Sequence, residues 1–283
     1  ETNVDTSLLK TFLEVAKTRH FSRAADALFL TQSAVSARIK LLEETLGAEL
    51  FVRKRNDIQL TPAGNRLLLH AENLVKGWER ARQAVALDPD LSASLSAGCL
   101  FDLWTIYVER WARRFRKHAP DIALQIDILG NDALVQRLTL GMLDCAFMFD
   151  PPQTAGLEIK QVADVPLRLY ASRPGMGVDK AMSRNYVMVD WGSAYSIVHE
   201  EKFPDLSPPA LRTNSGEVAL GLLLDRGGAA YLPEAMSREY LDAERLFAVE
   251  HAPVISRLAY VVYRPECLDR ASMQQAMKAL KWK

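Results

Sequence analysis

The chain has 283 residues, and its 35 Lys plus Arg are balanced by 35 Asp plus Glu. That length points to two or three domains rather than one core. Zero net charge excludes a uniformly basic coat, so any binding to nucleic acid has to come from a local patch. No apolar run approaches the ~18 residues of a membrane span and the N-terminus is polar, so neither a transmembrane helix nor a signal peptide is expected and the chain is assigned to the cytoplasm.

Leu8, Leu9, Phe12, Leu13, Val15 and Ala16 predict a first amphipathic helix. The segment FSRAADALFLTQSAVSARIKLLEETLG, Phe21 to Gly47, predicts two more, joined by a tight turn at Phe29 and Leu30. Phe21, Ala24, Ala25 and Leu28 share one face of the first of these. Thr31 is a good N-cap for the second, which is expected to bury Val35, Ile39, Leu42 and Leu46. Ser33, Ser36, Ala37 and Lys40 fall on its opposite face, which is short-chained and weakly basic. A helix entering the major groove needs such a surface, because bulk there holds the backbone away from the base edges. The same pattern also fits an ordinary helical hairpin with a solvated face. The flank decides between them. Leu50 to Leu60 alternates as two strands around an Asn56-Asp57 turn and carries Arg53, Lys54 and Arg55 near its tip, which suits phosphates or a minor groove. Helices followed by a basic hairpin describe a winged helix-turn-helix.

Here the sequence resembles a known family. Leu9, Phe12, Phe21, Ala24-Ala25, Leu28, Gln32-Ser33, Val35-Ser36, Ile39, Leu42-Glu43, Leu46-Gly47, Leu50-Phe51, Arg53, Leu60-Thr61 and Ala63-Gly64 are similar to the N-terminal signature of LysR-type transcriptional regulators. The wording of Thr18 to Phe21, Leu30 to Ser36 and Arg53 to Leu60 is similar to the enterobacterial subgroup that includes a repressor of the flagellar master operon. His20 departs from the Gly or Ser frequent there, and Asn56 from a common second wing Arg. Candidate DNA-binding residues are Thr31, Gln32, Ser33, Ser36, Arg38, Lys40, Arg53, Lys54 and Arg55.

A single long helix is expected from Pro62, capped by Thr61, to about Leu87. Leu67, Ala71, Leu74, Trp78, Ala81 and Val85 repeat at coiled-coil spacing along it. The stripe can pack on its own domain or pair two copies. A domain of about 60 residues has little spare surface for so long a helix, and the resemblance implies that this helix pairs subunits, as a homodimer or a dimer of dimers. Asp88-Pro89-Asp90 breaks it.

Beyond the break, strands and helices alternate. Strands are predicted at Leu95 to Gly98, Ile122 to Leu129, Leu143 to Phe149, Leu167 to Ala171, Tyr186 to Val189, Ala229 to Leu232 and Tyr260 to Tyr263. Helices are predicted at Leu103 to Lys117, Asp132 to Leu140, Glu217 to Asp225 and Cys267 to Leu280. This rhythm argues for an α/β fold with a parallel sheet and helical crossovers. Arg114 to Pro120, Gly141 to Ala146, and Ala219-Leu220 followed by Gly227 to Pro233 resemble the family's effector domain, two Rossmann-like subdomains of periplasmic-binding-protein type. The expected organisation is a winged helix-turn-helix over 1–61, a linker over 62–90 and an effector domain over 91–283. Within it, subdomain I takes 91–161 plus 265–283 and subdomain II takes 162–264.

Ligands of open α/β sheets sit at the carboxyl ends of strands near the topological switch point. This places Cys99, Leu100, Phe101, Asp102, Asn131 and Asp132 on one side of a cleft and Ser193, Thr213 and Ser215 on the other, with Trp191 to Ser196 as the facing loop. The resemblance implies a Ser or Thr in the first loop to hold a carboxylate effector. Leu100-Phe101-Asp102 stands there instead, and Asp102 repels an anion. An apolar or cationic ligand, or none, fits better; Asp102 can equally be the N-cap of the following helix.

No GxSxG, HExxH, P-loop or GxGxxG occurs. Cys99, Cys145 and Cys267 are odd in number and dispersed, without the close pair of the family's peroxide sensors. His20, His70, His118, His199 and His251 lie at helix ends or in surface stretches, with no ligand spacing. Neither an enzyme nor a metal or cofactor is expected. The reading is a DNA-binding regulator with duplex DNA, itself and a small-molecule effector as partners and no membrane; the alternative is a small-molecule binding protein with a vestigial DNA-binding domain.

Overall fold

The computed structural model describes residues 5–54, 57–85 and 91–280. They form two compact units, Glu1–Asp88 and Pro89–Lys283.

The first unit is a three-helix core with a hairpin and a long helix. Helix α1 (Thr6–Thr18) is capped by the Asp5 carboxylate, α2 (Phe21–Leu28) by the His20 ring, and α3 (Gln32–Leu46) by Thr31, whose hydroxyl accepts from Ala34 N at 3.2 Å. Helix α3 stops at Gly47, whose φ of 65° is open to glycine at no steric cost. Phe12, Val15, Ala24, Val35, Ile39 and Leu42 bury the shared face, and Phe51 closes it with its ring 5.3 Å from Phe12. The predicted stripes run slightly too far. Leu28 is half-buried and Leu46, in the last turn of α3, is exposed, because both lie beyond the edge of this small core.

Strands β1 (Phe51–Lys54) and β2 (Asp57–Leu60) pair antiparallel from Phe51↔Leu60 to Lys54↔Asp57. Asp57 therefore belongs to a strand rather than to the turn; Arg55 and Asn56 lie outside the described residues. Helix α4 (Pro62–Val85) begins where Thr61 Oγ1 accepts from Gly64 N at 3.0 Å. Its expected end at Leu87 and the Asp88-Pro89-Asp90 break also lie outside the described residues.

The second unit is an α/β structure of two subdomains built on mixed rather than purely parallel strands. Strand β3 (Ala93–Cys99) pairs parallel with β4 (Ile122–Ile128) and β5 (Cys145–Met148). Between them run α5 (Phe101–Leu103), a π-helical turn (Trp104–Val108), α6 (Glu109–His118) and α7 (Asn131–Thr139). Both faces of this sheet are covered. Cys99 and Phe147 lie in one cluster with Trp111 and Phe115, while Ala146 and Met148 meet Leu134 and Leu138 in another. Of the three strands, β5 (CAFM) is buried throughout, as a strand covered on both faces demands.

Strand β6 (Glu158–Ala171) then crosses to the second subdomain, which holds α8 (Val178–Ala181), β7 (Val187–Val189), α9 (Ser193–Lys202), β8 (Leu211–Thr213), α10 (Gly216–Arg226), β9 (Ala229–Pro233), α11 (Glu234–Asp242) and β10 (Phe247–Ala248). Strand β11 (Ile255–Tyr263) returns antiparallel to both β6 and β5. These two long strands are the antiparallel part that alternating strand and helix did not reveal. Strand β6 begins at Glu158, well before the expected Leu167, and runs through Pro166, a residue that argues against a central strand. Pro166 is tolerated because β9 joins β6 only from Leu167 onward.

The expected last helix, Cys267 to Leu280, is split into a 3-10 turn (Pro265–Asp269) and α12 (Ala271–Lys278). Arg270 interrupts it in extended conformation and reaches the Asp144 carboxylate at 2.5 Å, while Asp144 also accepts from Ser96 N at 2.8 Å. Trp111 Nε1 donates to Ala276 O at 3.0 Å, which fixes α12 on α6.

His199 departs from the expected solvated histidines. It is 2% exposed, with Nε2 2.8 Å from Tyr186 Oη and its ring packed against Tyr195 and Tyr231. Burial pulls its pKa down from 6.5 to about 4. A folded-state value below the unfolded one favours the neutral ring above pH 6.5, and that stabilisation is lost as pH falls toward 4. The shift corresponds to roughly 3 kcal/mol. Chemical denaturation of the full chain across this window is expected to show the loss in the wild type and a flatter profile in His199→Gln. Equal slopes would exclude His199 as the source.

Candidate nucleic-acid interface and ligand cleft

On the outward side of α3, Gln32, Ser33, Ala37 and Lys40 are exposed and Ser36 is half-buried. The first turn is ordered by its own cap, with Thr31 Oγ1 3.0 Å from Ser33 Oγ. Beyond it Lys40 lies 3.7 Å from Glu44. Arg38 stands apart from this group. Its Nη1 donates to Thr11 Oγ1 on α1 at 3.4 Å, which places the guanidinium on the flank of the helix.

The hairpin is held to α3 by Glu43, a residue of the family signature to which the sequence pattern assigns no role. Glu43 Oε1 accepts from Leu50 N at 2.7 Å and from Phe51 N at 3.4 Å, which sets the origin of β1 against the outward-facing helix. Arg53 and Lys54 stand on β1, and Arg55 lies outside the described residues.

Helix α4 divides the expected seam. Ala71 is fully buried and Leu67 packs against the same core, with Leu68 and Val75. Those two positions belong to the unit's own interior, because the first turns of α4 lie over α1 and the hairpin. Farther along, Leu74, Trp78 and Val85 are 57%, 55% and 91% exposed, and Ala81 is exposed between them. Glu79, about 100° round the helix from Trp78, is 2.7 Å from Lys10 of α1.

In the second unit a cleft of about 470 Å³ opens at the carboxyl ends of β3, β4, β5 and β7. Leu100, Phe101, Asp102, Gly130 and Asn131 line it from the first subdomain, and Trp191, Gly192 and Asn214 from the second. Five expected residues do not line it. Cys99 is fully buried at the end of β3, Asp132 and Ser193 are exposed on the first turns of α7 and α9 outside the cleft lining, and Thr213, at the end of β8, accepts from Ser215 N at 3.2 Å. Ser215 acts indirectly, as its hydroxyl donates to Asp102 Oδ1 at 3.1 Å.

Phe149, Asp150 and Asp190 also line the cleft. Applying the carboxyl-end rule to the strand ending at Met148 finds the first two. Asp150 Oδ2 lies 2.8 Å from Arg257 on β11, a guanidinium 4% exposed and stacked 5.3 Å over the Phe149 ring. The Asn131 amide donates to Asp150 O at 3.1 Å, and its Oδ1 is left without a hydrogen-bond partner among the described residues. Asp102 does not cap its own helix, whose N-cap is Leu100. The three cysteines are buried, and burial pushes the Cys99 thiol up to about 12 and raises those of Cys145 and Cys267, which disfavours the reactive thiolate. Among the described residues no cluster of His, Cys, Asp or Glu could hold a metal ion, and no helix is long and apolar enough to cross a membrane.

Residues 6–65 match the model of the bacterial regulatory helix-turn-helix protein, lysR family, and residues 90–282 match the LysR substrate binding domain. The chain belongs to the LysR family of transcriptional regulators. The HTH-type transcriptional regulator HdfR of Yersinia enterocolitica is 36% identical over 97% of this chain and 96% of its own, and HdfR of Yersinia pestis is 35% identical over the same shares. Among solved structures, this LysR regulator is similar to CbnR, a LysR family transcriptional regulator, with a TM-score of 0.75 at 18% identity over 99% of this chain and 100% of that one. CbnR complexed with its target DNA gives 0.72 at 20% identity over 98% and 100%. At these identities the likeness concerns the fold.

Proposed function

We propose that this LysR regulator works in the cytoplasm as a homo-oligomer, not as an enzyme, and reads duplex DNA with the outward face of α3. The observation that carries the reading is that face itself: small or polar, ordered by the Thr31 cap, and flanked by a hairpin that Glu43 holds in place. Gln32 can bond adenine bidentately and Ser36 can bond either purine or pyrimidine edges, with Lys40 near the groove wall. Arg38 serves from the flank, where a phosphate is the nearer target. The wing cations and the exposed stripe of α4 supply positioning and pairing.

Fluorescence anisotropy on the chain's own upstream region and on random duplex tests this. Gln32→Ala and Ser36→Ala are each expected to reduce the preference for the specific site by ~1–3 kcal/mol, about 5- to 150-fold, with the fold intact. Equal losses on both duplexes would remove the base-reading assignment.

For the cleft we propose a small ligand that is cationic or rich in hydrogen-bond donors, with an apolar part. Among the described residues that line it there is no lysine or arginine, whereas Asp102, Asp150 and Asp190 do line it, Asp150 being paired with Arg257 from behind. Phe101, 55% exposed, offers a ring face suited to such a cation, while the Phe149 ring already carries the Arg257 guanidinium.

A further inference from the structure

Asp102 comes from the first subdomain, is 7% exposed, and is bonded across the cleft to the second. Its Oδ1 accepts from Ser215 Oγ at 3.1 Å and its Oδ2 from Gly216 N at 2.9 Å, with the Glu217 backbone as a further donor. These are the N-cap and the first two residues of α10, which runs to Arg226. The unpaired N–H groups and the dipole of a helix start favour an anion, and here a carboxylate of the chain itself fills that place. Gly216 permits it: a Cβ there would lie 2.5 Å from Trp191 Cη2, so only bare backbone fits between the indole and the acid. One turn along, Thr105 Oγ1 reaches Glu217 Oε1 at 3.1 Å and ties the same two helices together.

The charge of Asp102 is not what stabilises this arrangement. Burial raises the Asp102 pKa, and the hydrogen bonds from Gly216, Ser215 and Glu217 only partly offset it. A folded value above the unfolded one means that folding disfavours the ionised form, so this acid contributes less at neutral pH than below its unfolded pKa. A neutral cap would close the start of α10 without that cost.

We infer that Asp102 determines the ligand class of the cleft, acting as a tethered carboxylate that occupies the anion position at the start of α10. Free carboxylates are thereby excluded, and shortening the side chain turns the cradle of Ser215 and Gly216 into a carboxylate site. This deepens the reading of the cleft as a ligand site, but its test does not depend on the natural ligand.

The full-length protein is titrated with sodium acetate by calorimetry, and melted with and without acetate against sodium chloride at equal ionic strength. Asp102→Ala is expected to bind acetate at least tenfold more tightly than the wild type and to gain Tm from acetate but not from chloride. Asp102→Asn, which fills the space without charge, is expected to show neither effect. Acetate binding to Asp102→Ala no tighter than to the wild type, or equal binding to the Asn variant, would overturn the inference. Should Asp102→Ala fold poorly, its refolding yield gives the same readout: recovery in acetate supports the cradle, and equal yields in acetate and chloride sink it. A cationic ligand failing to bind the wild type would remove the proposed ligand class and leave this result standing.

Discussion

Trp78→Glu is expected to give a smaller assembly and to abolish tight binding to a two-half-site operator, leaving weak half-site binding and a folded second unit. The reason begins with what one copy of α3 can do. A single recognition helix contacts a few base pairs, too few to stand out from a genome's non-specific sites. Two copies on a two-fold axis meet half-sites spaced by whole turns, and linking them raises avidity by ~10²–10⁴ without any new contact. The apolar stripe available for linking is Leu74, Trp78, Ala81 and Val85, exposed on α4 at spacings of four, three and four. Ala71 is fully buried within its own unit, and Leu67 packs there beside it. Trp78 is the largest side chain of the stripe and is more than half exposed, and buried tryptophans dominate interface energies, often by ~2 kcal/mol or more on truncation. A carboxylate at the same place has to be buried unpaired or keep the helices apart. Light scattering reports the mass, and anisotropy on full and half operators reports the binding. An unchanged mass would rule out this stripe as the seam and leave the base-reading face untouched.

How far the sequence anticipates this molecule depends on the range of the signal. Helices α1 to α3 are legible because each apolar stripe lies within its own helix and Thr31 marks the start of α3, whereas the Asp5 and His20 caps emerge only in the structure. The two crossing strands are not. The first part of β6 is half polar and holds Pro166, so its membership depends on β11, almost a hundred positions later in the chain. Helices α9 and α11 escape for another reason. SAYSIVHEEK and EAMSREYLD are short and largely polar, and their places are set by burial of Tyr195 and Met236 against a core assembled from elsewhere. The cleft shows both behaviours. Its first loop follows from the carboxyl-end rule, yet the partner of Asp102 sits at Ser215 and Gly216, a contact that only the tertiary fold creates. Asp102 was legible as an anomaly and illegible as a bond.

Replacing Arg53, Lys54 and Arg55 together by alanine is expected to lower affinity on specific and random duplexes alike and to flatten its salt dependence. The hairpin origin is held against the recognition helix, since Glu43 accepts from Leu50 N and Phe51 N while the Phe51 ring lies 5.3 Å from Phe12 and 6.4 Å from Phe21. A rigid origin delivers the same charges to the backbone wherever α3 settles, so the wing adds attraction without sequence information. Each phosphate neutralised by a cation releases counterions and contributes about 0.9 to the slope of log K against log salt. Three cations on each of two copies therefore predict a slope flatter by about 5, and a loss that is greatest at low salt. The ratio of specific to random binding should stay near its wild-type value, in contrast to Gln32→Ala and Ser36→Ala, which change that ratio and leave the slope alone. Anisotropy titrations between 50 and 200 mM salt, run on both duplexes, measure slope and ratio together. A triple variant with the wild-type slope would show that the wing does not touch the DNA, and one that lost preference while keeping the slope would place the wing among the base-reading elements.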